Sequence, residues 1–435
     1  MKKPWMQVVA VLLACVAYGT NAQNTSPLSG EFSVNGLKVI VKPISTNDII
    51  SVQLYLRGGA LNLTEDTQGI ESLIFQCAVK GSKSYPKEKL NVILDKAAAA
   101  ITSSATKDFS SIGLRCLRSD FDTLWDAYAD VVMHPAFVPE DVEVVRNNVL
   151  LGVKQRKDNP DGHLRLVEEE LFYADHPYRL DPGGVESSLS ALSIEQMKKY
   201  LTDNLVTSKL LLVVVGNVSK EAVQNKVAAT LGMLPGGEYK VAFPPPVVHN
   251  SPALKVVERQ LPTTYFQGCF SMPGPADPEY HAAMVMMNIL TTRIFEEVRT
   301  KRNLSYAPSA GMAARLANQG FIYVTSVNPD SAVKVMLSEL KKIQDDPVSA
   351  KDLRDRIAIF LTGYNLSRET NESQGEFLAF HEMAGMGWQA AAQFVDRVRS
   401  VTAADIQEVA KKYFHNMQTT VLGDPKLIDK KVYEF

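Results

Sequence analysis

Short apolar segments alternate with helical patterns along the first half of the chain. GLKVIVKPIS, which starts at Gly36, and IISVQLYLRGGA, which starts at Ile49, predict strands because their apolar runs end in turn-forming residues. KLLLVVVGNVS, from Lys209 to Ser219, predicts a further, buried strand, and Ser219 can cap the helix that follows it. Between these strands, helical spacing of apolar residues covers residues 69–80, 86–98, 118–133 and 139–157. This half therefore predicts a sheet with several helices.

The same pattern begins again after a proline-rich segment. GGEYKVAFPPPVVHN carries three consecutive prolines, which continue neither a helix nor a sheet. ALKVVERQLPTTYFQGCFSMPG then repeats the opening strands, and the helix around Tyr413 repeats the one around Tyr200, an offset of 213 residues (413 − 200). We therefore predict an α+β fold of two homologous domains, each a mostly antiparallel sheet with helices packed on one face. The predicted bounds are 1–22 for a signal peptide, 23–235 and 254–435 for the domains, and 236–253 for the linker.

The N-terminus is typical of an export signal. Lys2 and Lys3 precede the apolar segment WMQVVAVLLACVAY, and small residues end at Ala22, where we expect cleavage before Gln23. The apolar segment has about 14 residues, too few to span a bilayer core of about 30 Å. A lipoprotein with Cys15 as the lipidated residue is the alternative. We expect an exported protein without a transmembrane segment, periplasmic if the source is a Gram-negative bacterium.

Composition narrows the possible functions. Hydrophobic residues make up 46% of the 435 residues and charged residues 22%, which is typical of a globular protein with sizeable cores. The formal net charge is −2 and the chain has no basic stripe, so nothing indicates a nucleic-acid partner. Cys77, Cys116 and Cys269, which remain after the signal, have no CxxC spacing. We expect three buried thiols, with one disulfide as the alternative.

A set of short landmarks occurs in order along the chain. They are Gln68-Gly69, Lys80-Gly81-Ser82, Asp158-Asn159-Pro160, His176-Pro177-Tyr178, Gly216-Asn217 and the segment TRIFEEVRTKRNLSYAPSA. Together they resemble the pitrilysin/insulinase family of zinc metallopeptidases, the inverzincins, in the form with two repeated domains per chain. The resemblance implies a metallohydrolase fold like that of LuxS and the processing peptidases, with the chain forming half of a clamshell. In that family, the helix between the first two landmarks carries HxxEH, whose histidines bind zinc and whose glutamate activates water.

This chain keeps the frame of the zinc motif but not its chemistry. Ser72 and Gln76 stand at the two histidine positions, and Phe75 stands at the glutamate position. Leu151 and Gly152 occupy the place where the family has its third zinc ligand, also a glutamate. A catalytic zinc site needs three N, O or S ligands, and phenylalanine cannot accept a proton from water. The resemblance therefore implies that this chain alone has no metal and no catalytic residue.

The second half keeps another feature of the family. There, a segment of the form SRLFQEVREKRGLAYSV supplies an arginine and a tyrosine, seven residues apart, that face the zinc and hold the substrate carbonyl. The same spacing here falls on Arg299 and Tyr306. Both side chains donate hydrogen bonds and can stabilise a growing negative charge. We expect Arg299 in the last turn of a helix ending near Asn303, and Tyr306 at the start of the next strand. By spacing alone, the two would be an ordinary helix charge and an ordinary sheet residue.

Two functions follow from this combination. In the first, the chain is the metal-free, non-catalytic subunit of a heterodimeric zinc peptidase. A homologous HxxEH-containing partner would hold the zinc, and Arg299 and Tyr306 would bind the peptide substrate. In the second, the chain is an exported pseudo-peptidase that binds peptides or scaffolds a complex without hydrolysis. In neither case is the chain a peptidase by itself.

Overall fold

Two β-sheets, one in each half of the chain, organise the protein. The computed structural model describes residues 29–435, so the predicted signal peptide and Cys15 lie outside the described residues. The strands are β1 Gly30–Val34, β2 Leu37–Pro43, β3 Ile49–Arg57, β4 Ala100–Ala105, β5 Phe109–Leu117, β6 Leu210–Gly216, β7 Ala253–Glu258, β8 Thr264–Ser271, β9 Ser309–Met312, β10 Gln319–Ser326 and β11 Gln418–Gly423. The first six form one sheet and the last five form the other.

The two sheets share one order of strands. The first sheet runs β1-β2-β6-β3-β5-β4, and the second runs β7-β11-β8-β10-β9, which is the same order without β1. In each sheet one pair is parallel, β2 with β6 and β7 with β11. The other pairs are antiparallel. The predicted α+β fold with mostly antiparallel sheets is confirmed, and the common order supports an internal duplication.

Helices surround both sheets. In the first half they are α1 Ile70–Ala78, α2 Lys87–Lys96, α3 Phe121–Met133, α4 Pro139–Asp158, α5 Pro160–Phe172, α6 Glu186–Ala191, α7 Ile194–Asn204 and α8 Lys220–Ala229. In the second half they are α9 Tyr280–Ile294, α10 Pro329–Asp345, α11 Ala350–Leu366, α12 Asn371–Met383, α13 Phe394–Arg399 and α14 Ala403–Tyr413. A π-helical turn, Phe295–Thr300, continues α9. Residues 235–250 contain neither helix nor strand, as their prolines predict.

Each half has its own hydrophobic core between one face of its sheet and its own helices. Leu73 of α1 and Trp125 of α3 are fully buried against the first sheet. Met286 of α9 and Met336 of α10 are fully buried against the second. Cys77, Cys116 and Cys269 are free, buried thiols, as expected from their spacing. Within residues 29–435, no helix combines the length and the apolar character needed to cross a membrane.

The opposite face of each sheet is covered by a helix from the other half. Helix α5 packs against β8 and β11, and α12 packs against β3 and β6. The two helices begin alike: the Asn159 side chain accepts a bond from the backbone of Gly162, and Thr370 from Ser373, an offset of 211 (370 − 159). All seven residues of β6 are buried, as a strand covered on both faces requires. The sequence pattern did not predict this exchange of helices.

Candidate functional site

The face of α1 that matches the zinc motif carries a serine and a glutamine in contact. Gln76 Nε2 donates a hydrogen bond of 2.9 Å to Ser72 Oγ, because residues four apart lie on the same face of a helix. Both side chains are partly exposed, whereas Phe75 is 4% exposed and belongs to the first core. The two ligand positions are therefore adjacent, but they present a hydroxyl and an amide instead of imidazoles.

Helix α4, which packs beside α1, supplies no ligand either. Leu151 is 53% exposed and has no donor atom for a metal. A side chain at Gly152 would have open space, since a Cβ built there meets no atom within 4 Å. Serine and glutamine are poor zinc ligands and leucine is none, so the residues present do not fit a zinc ion. Across residues 29–435, no group of three or more His, Cys, Asp or Glu side chains is arranged to hold a metal.

Glu71, next to the first of these positions, is a buried acid that the sequence did not reveal. It is 3% exposed and accepts hydrogen bonds from Asn62 Nδ2 at 2.9 Å, Ser110 Oγ at 2.5 Å and Tyr200 hydroxyl at 2.6 Å. Burial raises the pKa of this carboxyl, while the three donors act in the opposite direction. Without access to water, Glu71 cannot replace the missing general base, and it instead joins α1 to β5 and α7.

Arg299 and Tyr306 form a stacked pair at the end of the π-helical turn. Arg299 Nη1 donates a hydrogen bond of 3.0 Å to the backbone oxygen of Tyr306, and its Cζ lies 3.9 Å from the centre of the Tyr306 ring. The centre of the Phe295 ring lies 4.9 Å from the same guanidinium carbon. The Tyr306 side chain is 79% exposed, so an aromatic ring with a cation against it projects from the surface.

The local backbone explains this geometry. A π-helical turn is wider than an α-helical turn and occurs often at functional sites, and here it carries Arg299. Asn303 then ends the helix with a φ of 51°, in the left-handed region that asparagine tolerates, as its position predicts. The prediction that Tyr306 starts the next strand is wrong, because β9 begins at Ser309. Pro308 has no N–H for a sheet ladder, which delays the strand.

Neighbouring charges are neutralised close to the pair. Glu297 forms ion pairs with Lys301 at 2.7 Å and with Arg302. Hydrogen bonds from these two residues lower the pKa of Glu297 to about 2. The acid thus engages the two other cations of the helix end, while Arg299 lies against aromatic rings.

The two groups of predicted site residues lie on different sheets. Helix α1, with Ser72 and Gln76, packs against β4 and β5 of the first sheet. Arg299 and Tyr306 precede β9, the edge strand of the second. The fold therefore brings Arg299 to Tyr306 and Ser72 to Gln76, and places the two pairs in different halves of the chain.

Comparison with known protein families gives two matches, one after the other along the chain. The profile of Insulinase (Peptidase family M16) matches residues 38–179, and that of the Peptidase M16 inactive domain matches residues 191–360. The chain belongs to the pitrilysin/insulinase family. Both the match to the inactive domain of this M16 family and the missing zinc ligands fit a non-catalytic, peptidase-like protein.

Several known proteins match this chain over nearly its whole length. It is 17% identical over 405 residues to the "Uncharacterized zinc protease YmxG" of Bacillus subtilis, which covers 90% of this chain and 97% of the relative. A crystal structure of the peptidase M16 inactive domain from Pseudomonas fluorescens superimposes with a TM-score of 0.83 at 18% identity, covering 91% of this chain and 98% of the other. A protease from Helicobacter pylori gives 0.83 at 15% identity, with 91% and 99% covered. These structures establish the shared fold.

Proposed function

We propose that this chain is the metal-free subunit of a two-chain zinc peptidase. A homologous chain with an intact HxxEH motif would hold the zinc, and this chain would contribute Arg299 and Tyr306 to the shared cleft. One observation carries the proposal: the zinc ligands are absent together, while the arginine and tyrosine remain stacked, with the tyrosine side chain 79% exposed. The relatives named as zinc proteases support a zinc-bearing partner of the same family.

In this proposal, the pair binds the peptide carbonyl and stabilises the oxyanion that develops on it. Within residues 29–435 the Tyr306 hydroxyl makes no hydrogen bond, so its O–H is available to a substrate. Only one nitrogen of Arg299 is engaged by the backbone, which leaves further N–H donors on the same planar group. Stacking holds the guanidinium in place before substrate arrives, which is the preorganisation that oxyanion stabilisation requires. The zinc of the partner would polarise the carbonyl and activate water.

The proposed partnership is tested by mixing. The chain, an HxxEH-bearing homologue from the same source, and their mixture are assayed for bound zinc and peptide hydrolysis. We expect activity in the mixture above that of either chain, and a loss of about 10²-fold in kcat with Arg299→Ala, as for removal of an oxyanion donor. Tyr306→Phe, which removes only the hydroxyl, should lower kcat in the same direction.

Arg302→Ala is the matched control, because Arg302 lies on the same helix end but pairs with Glu297. It should leave turnover within about twofold, as expected for an exposed ion pair. A mixture no more active than the homologue alone would overturn the proposal. Equal effects of the Arg299 and Arg302 substitutions would show that the pair is ordinary surface.

The second candidate is a peptide-binding or scaffolding protein without hydrolysis. Its support is the outer edge of β4, which pairs with no further strand among the described residues. An extended peptide can add to such an edge through backbone hydrogen bonds. Peptide binding by the purified chain alone, with no gain of hydrolysis on mixing, would favour this candidate over the first.

Export remains part of the proposed function. Lys2, Lys3 and the apolar segment that follows predict a signal peptide removed before Gln23. Expression of the full chain in a Gram-negative host should give a periplasmic protein whose N-terminal sequence begins at Gln23. A mature N-terminus at Cys15 carrying a lipid would establish the alternative, and an intact N-terminus in the cytoplasm would refute export.

A further inference from the structure

The segment that joins the two halves is fixed to the first half by a histidine. Residues 235–250 contain neither helix nor strand, and the backbone oxygen of Pro245 lies 2.9 Å from His176 Nε2. The backbone N–H of Tyr178 donates a hydrogen bond of 3.0 Å to the other ring nitrogen, Nδ1. A neutral imidazole has one donor and one acceptor, so Nε2 carries the proton and donates to Pro245. This pair of bonds therefore requires His176 to be neutral.

Further along, the same segment is held through Val247 and His249. The Val247 side chain packs against a buried cluster to which Phe172 belongs. The His249 ring lies 4.7 Å from the Phe172 ring, measured between ring centres. The backbone oxygen of His249 accepts a hydrogen bond of 2.7 Å from Nδ2 of Asn416, in the second half. Residues 245–249, which we call the clasp, thus contact both halves of the chain.

The surroundings of the His249 imidazole suit only its neutral form. Its Nε2 is buried and has no hydrogen-bond partner among the described residues. In the cationic form both ring nitrogens carry protons, so Nε2 would become a charged, buried donor without an acceptor, which is costly. Burial lowers the pKa of His249, and the backbone of Phe172 acts in the opposite direction. No charged side chain among the described residues adds to this shift.

Burial favours the neutral form of His176 as well. It lowers the pKa of this imidazole, and the charge of Lys107 acts in the same direction, while the bond to Pro245 opposes both. The ring centres of Tyr173 and Tyr178 lie 5.4 Å and 4.8 Å from that of the imidazole. A proton on Nδ1 would point at the N–H of Tyr178, so that two donors would face each other.

The acids near this histidine are bound to other groups or face solvent. Glu169 pairs with Lys107 at 3.0 Å, and Asp108 accepts a hydrogen bond from the hydroxyl of Tyr178. Asp175, which precedes the histidine in the chain, is exposed. Among the described residues, none of these acids acts on the pKa of the imidazole. A proton taken up there therefore gains no compensating negative charge.

We propose that the clasp is an acid-sensitive switch, which releases the segment between the two halves when His176 and His249 take up protons. Release returns the imidazoles to water, where their usual pKa is about 6.5, so release becomes more favourable as pH falls below about 6.5. It also uncovers Arg57, which is 9% exposed and shares a small crevice with Tyr239 and Pro244 of the segment. The switch uses no residue assigned to the shared peptidase cleft, so it is independent of the proposed partnership.

Cleavage of the segment by trypsin after Lys240, followed by mass spectrometry, measures its release in the purified chain. Proteolysis follows the population of the open form when opening and closing are fast. The synthetic peptide GGEYKVAFPPPVVHN, cleaved at the same bond, corrects for the pH dependence of trypsin itself. We expect the ratio of the protein rate to the peptide rate to rise at least about tenfold from pH 8 to pH 5.5, because one histidine alone contributes up to a factor of about ten per pH unit.

Substitutions at the two histidines separate their roles. His249→Phe keeps an aromatic ring against Phe172 but cannot be protonated, so the rise in acid should be smaller than in the wild type. His176→Asn keeps an acceptor for the N–H of Tyr178, because asparagine is a favoured cap, but loses the donor to Pro245. This variant should be cleaved faster than the wild type already at pH 8. In the double variant the ratio should change less than about twofold between the two pH values.

His134→Asn is the matched control, because His134 is exposed and lies outside the clasp. It should leave the rise in acid as it is in the wild type. A wild-type ratio that does not rise, or a double variant that rises as much as the wild type, would overturn the proposal. A loss of helical circular dichroism at pH 5.5 would also overturn it, since the whole fold, and not the clasp, would then have opened.

Discussion

The two halves of the chain share one arrangement of strands and helices but differ in one helix. Apart from β1, both have the same strand order, and in both a tyrosine near the end of a late helix bonds to an acid at the start of an early one. Tyr200 donates to Glu71 at 2.6 Å, and Tyr413 donates to Glu279 at 2.7 Å. In the first half the acid is 3% exposed, whereas the Glu279 side chain is 33% exposed. The second half thus repeats the contact but places it at the surface.

The divergence lies in the helix that follows β3 in the first half and β8 in the second. In the first half, α1 keeps its packing residues and has lost every ligand of the zinc motif. In the second, the longer α9 continues into the π-helical turn that presents Arg299 and Tyr306. Phe75 packs in the hydrophobic core and so contributes to the stability of the fold. Ser72 and Gln76, at the zinc-ligand positions, lie on a partly exposed face and contribute little to it. The fold can therefore persist after the loss of its metal.

Restoring the three zinc ligands is the strongest test of whether the fold has persisted after the loss of its metal. The triple substitution Ser72→His, Gln76→His and Gly152→Glu should raise bound zinc from none to about one ion per chain, because three protein ligands suffice. The contact between Gln76 and Ser72 and the open space at Gly152 favour this outcome. Zinc is measured by mass spectrometry of metals after dialysis, with Ser72→His alone as the control. A folded triple variant without zinc would show that α1 and α4 have moved out of ligand geometry.

At one pair of equivalent positions in the exchanged helices, only the helix from the first half carries a buried acid, and a pH series tests this difference. Ala379 of α12 corresponds to Glu168 of α5, which is 2% exposed and lies beside Cys269. Burial raises the pKa of Glu168 to about 7, so the folded state holds its proton longer than the unfolded chain. Its contribution to stability is therefore largest in acid and is lost as pH rises from about 4 to about 7.

Glu168→Gln should remove this loss of stability at high pH. At pH 8 the variant should be more stable than the wild type by about 3 kcal/mol, and at pH 4 the two should be nearly equal. Urea unfolding at several pH values measures this difference. Glu170→Gln, on the exposed side of the same helix, should change stability little at either pH. A constant difference between wild type and Glu168→Gln across the pH range would contradict the raised pKa.

The repeated tyrosine contacts should differ in strength. Tyr200→Phe removes one of three donors to the buried Glu71 and should cost about 2 kcal/mol. Tyr413→Phe removes a bond to the partly exposed Glu279 and should cost less than about 1 kcal/mol. Urea unfolding of the two variants, side by side, checks the ratio. Equal losses would mean that the two contacts are equivalent despite their different exposure.

Periodicity predicted the elements well but not their partners. The helices predicted over residues 69–80 and 139–157 correspond to α1 and α4, because apolar residues three or four positions apart indicate a helix. The exchange of α5 and α12 was not predictable, since contacts between residues far apart in the chain decide which sheet a helix covers. Glu71 was missed for a similar reason: one polar residue in an apolar segment does not reveal its partners.

The site was predictable where a motif fixes spacing. Arg299 and Tyr306 were predicted from the resemblance to the family's segment and are in contact, and Ser72 and Gln76 are adjacent on α1. Their roles do not follow from spacing, because function depends on what approaches an exposed pair. β9 starts later than predicted because Pro308 has no N–H to donate to the ladder.

Another small effect concerns the turn at Asn303, which follows the π-helical turn of the second half. Asn303 has a φ of 51°, where a Cβ is unfavourable, and asparagine is tolerated better than most residues. Asn303→Ala should therefore cost about 1 kcal/mol, whereas Asn303→Gly should be neutral or slightly stabilising, because glycine has no Cβ. Thermal melting distinguishes the two, with the exposed helical Asn148→Ala as a control that should not destabilise. Equal melting temperatures for Asn303→Ala and Asn303→Gly would contradict the left-handed conformation of residue 303.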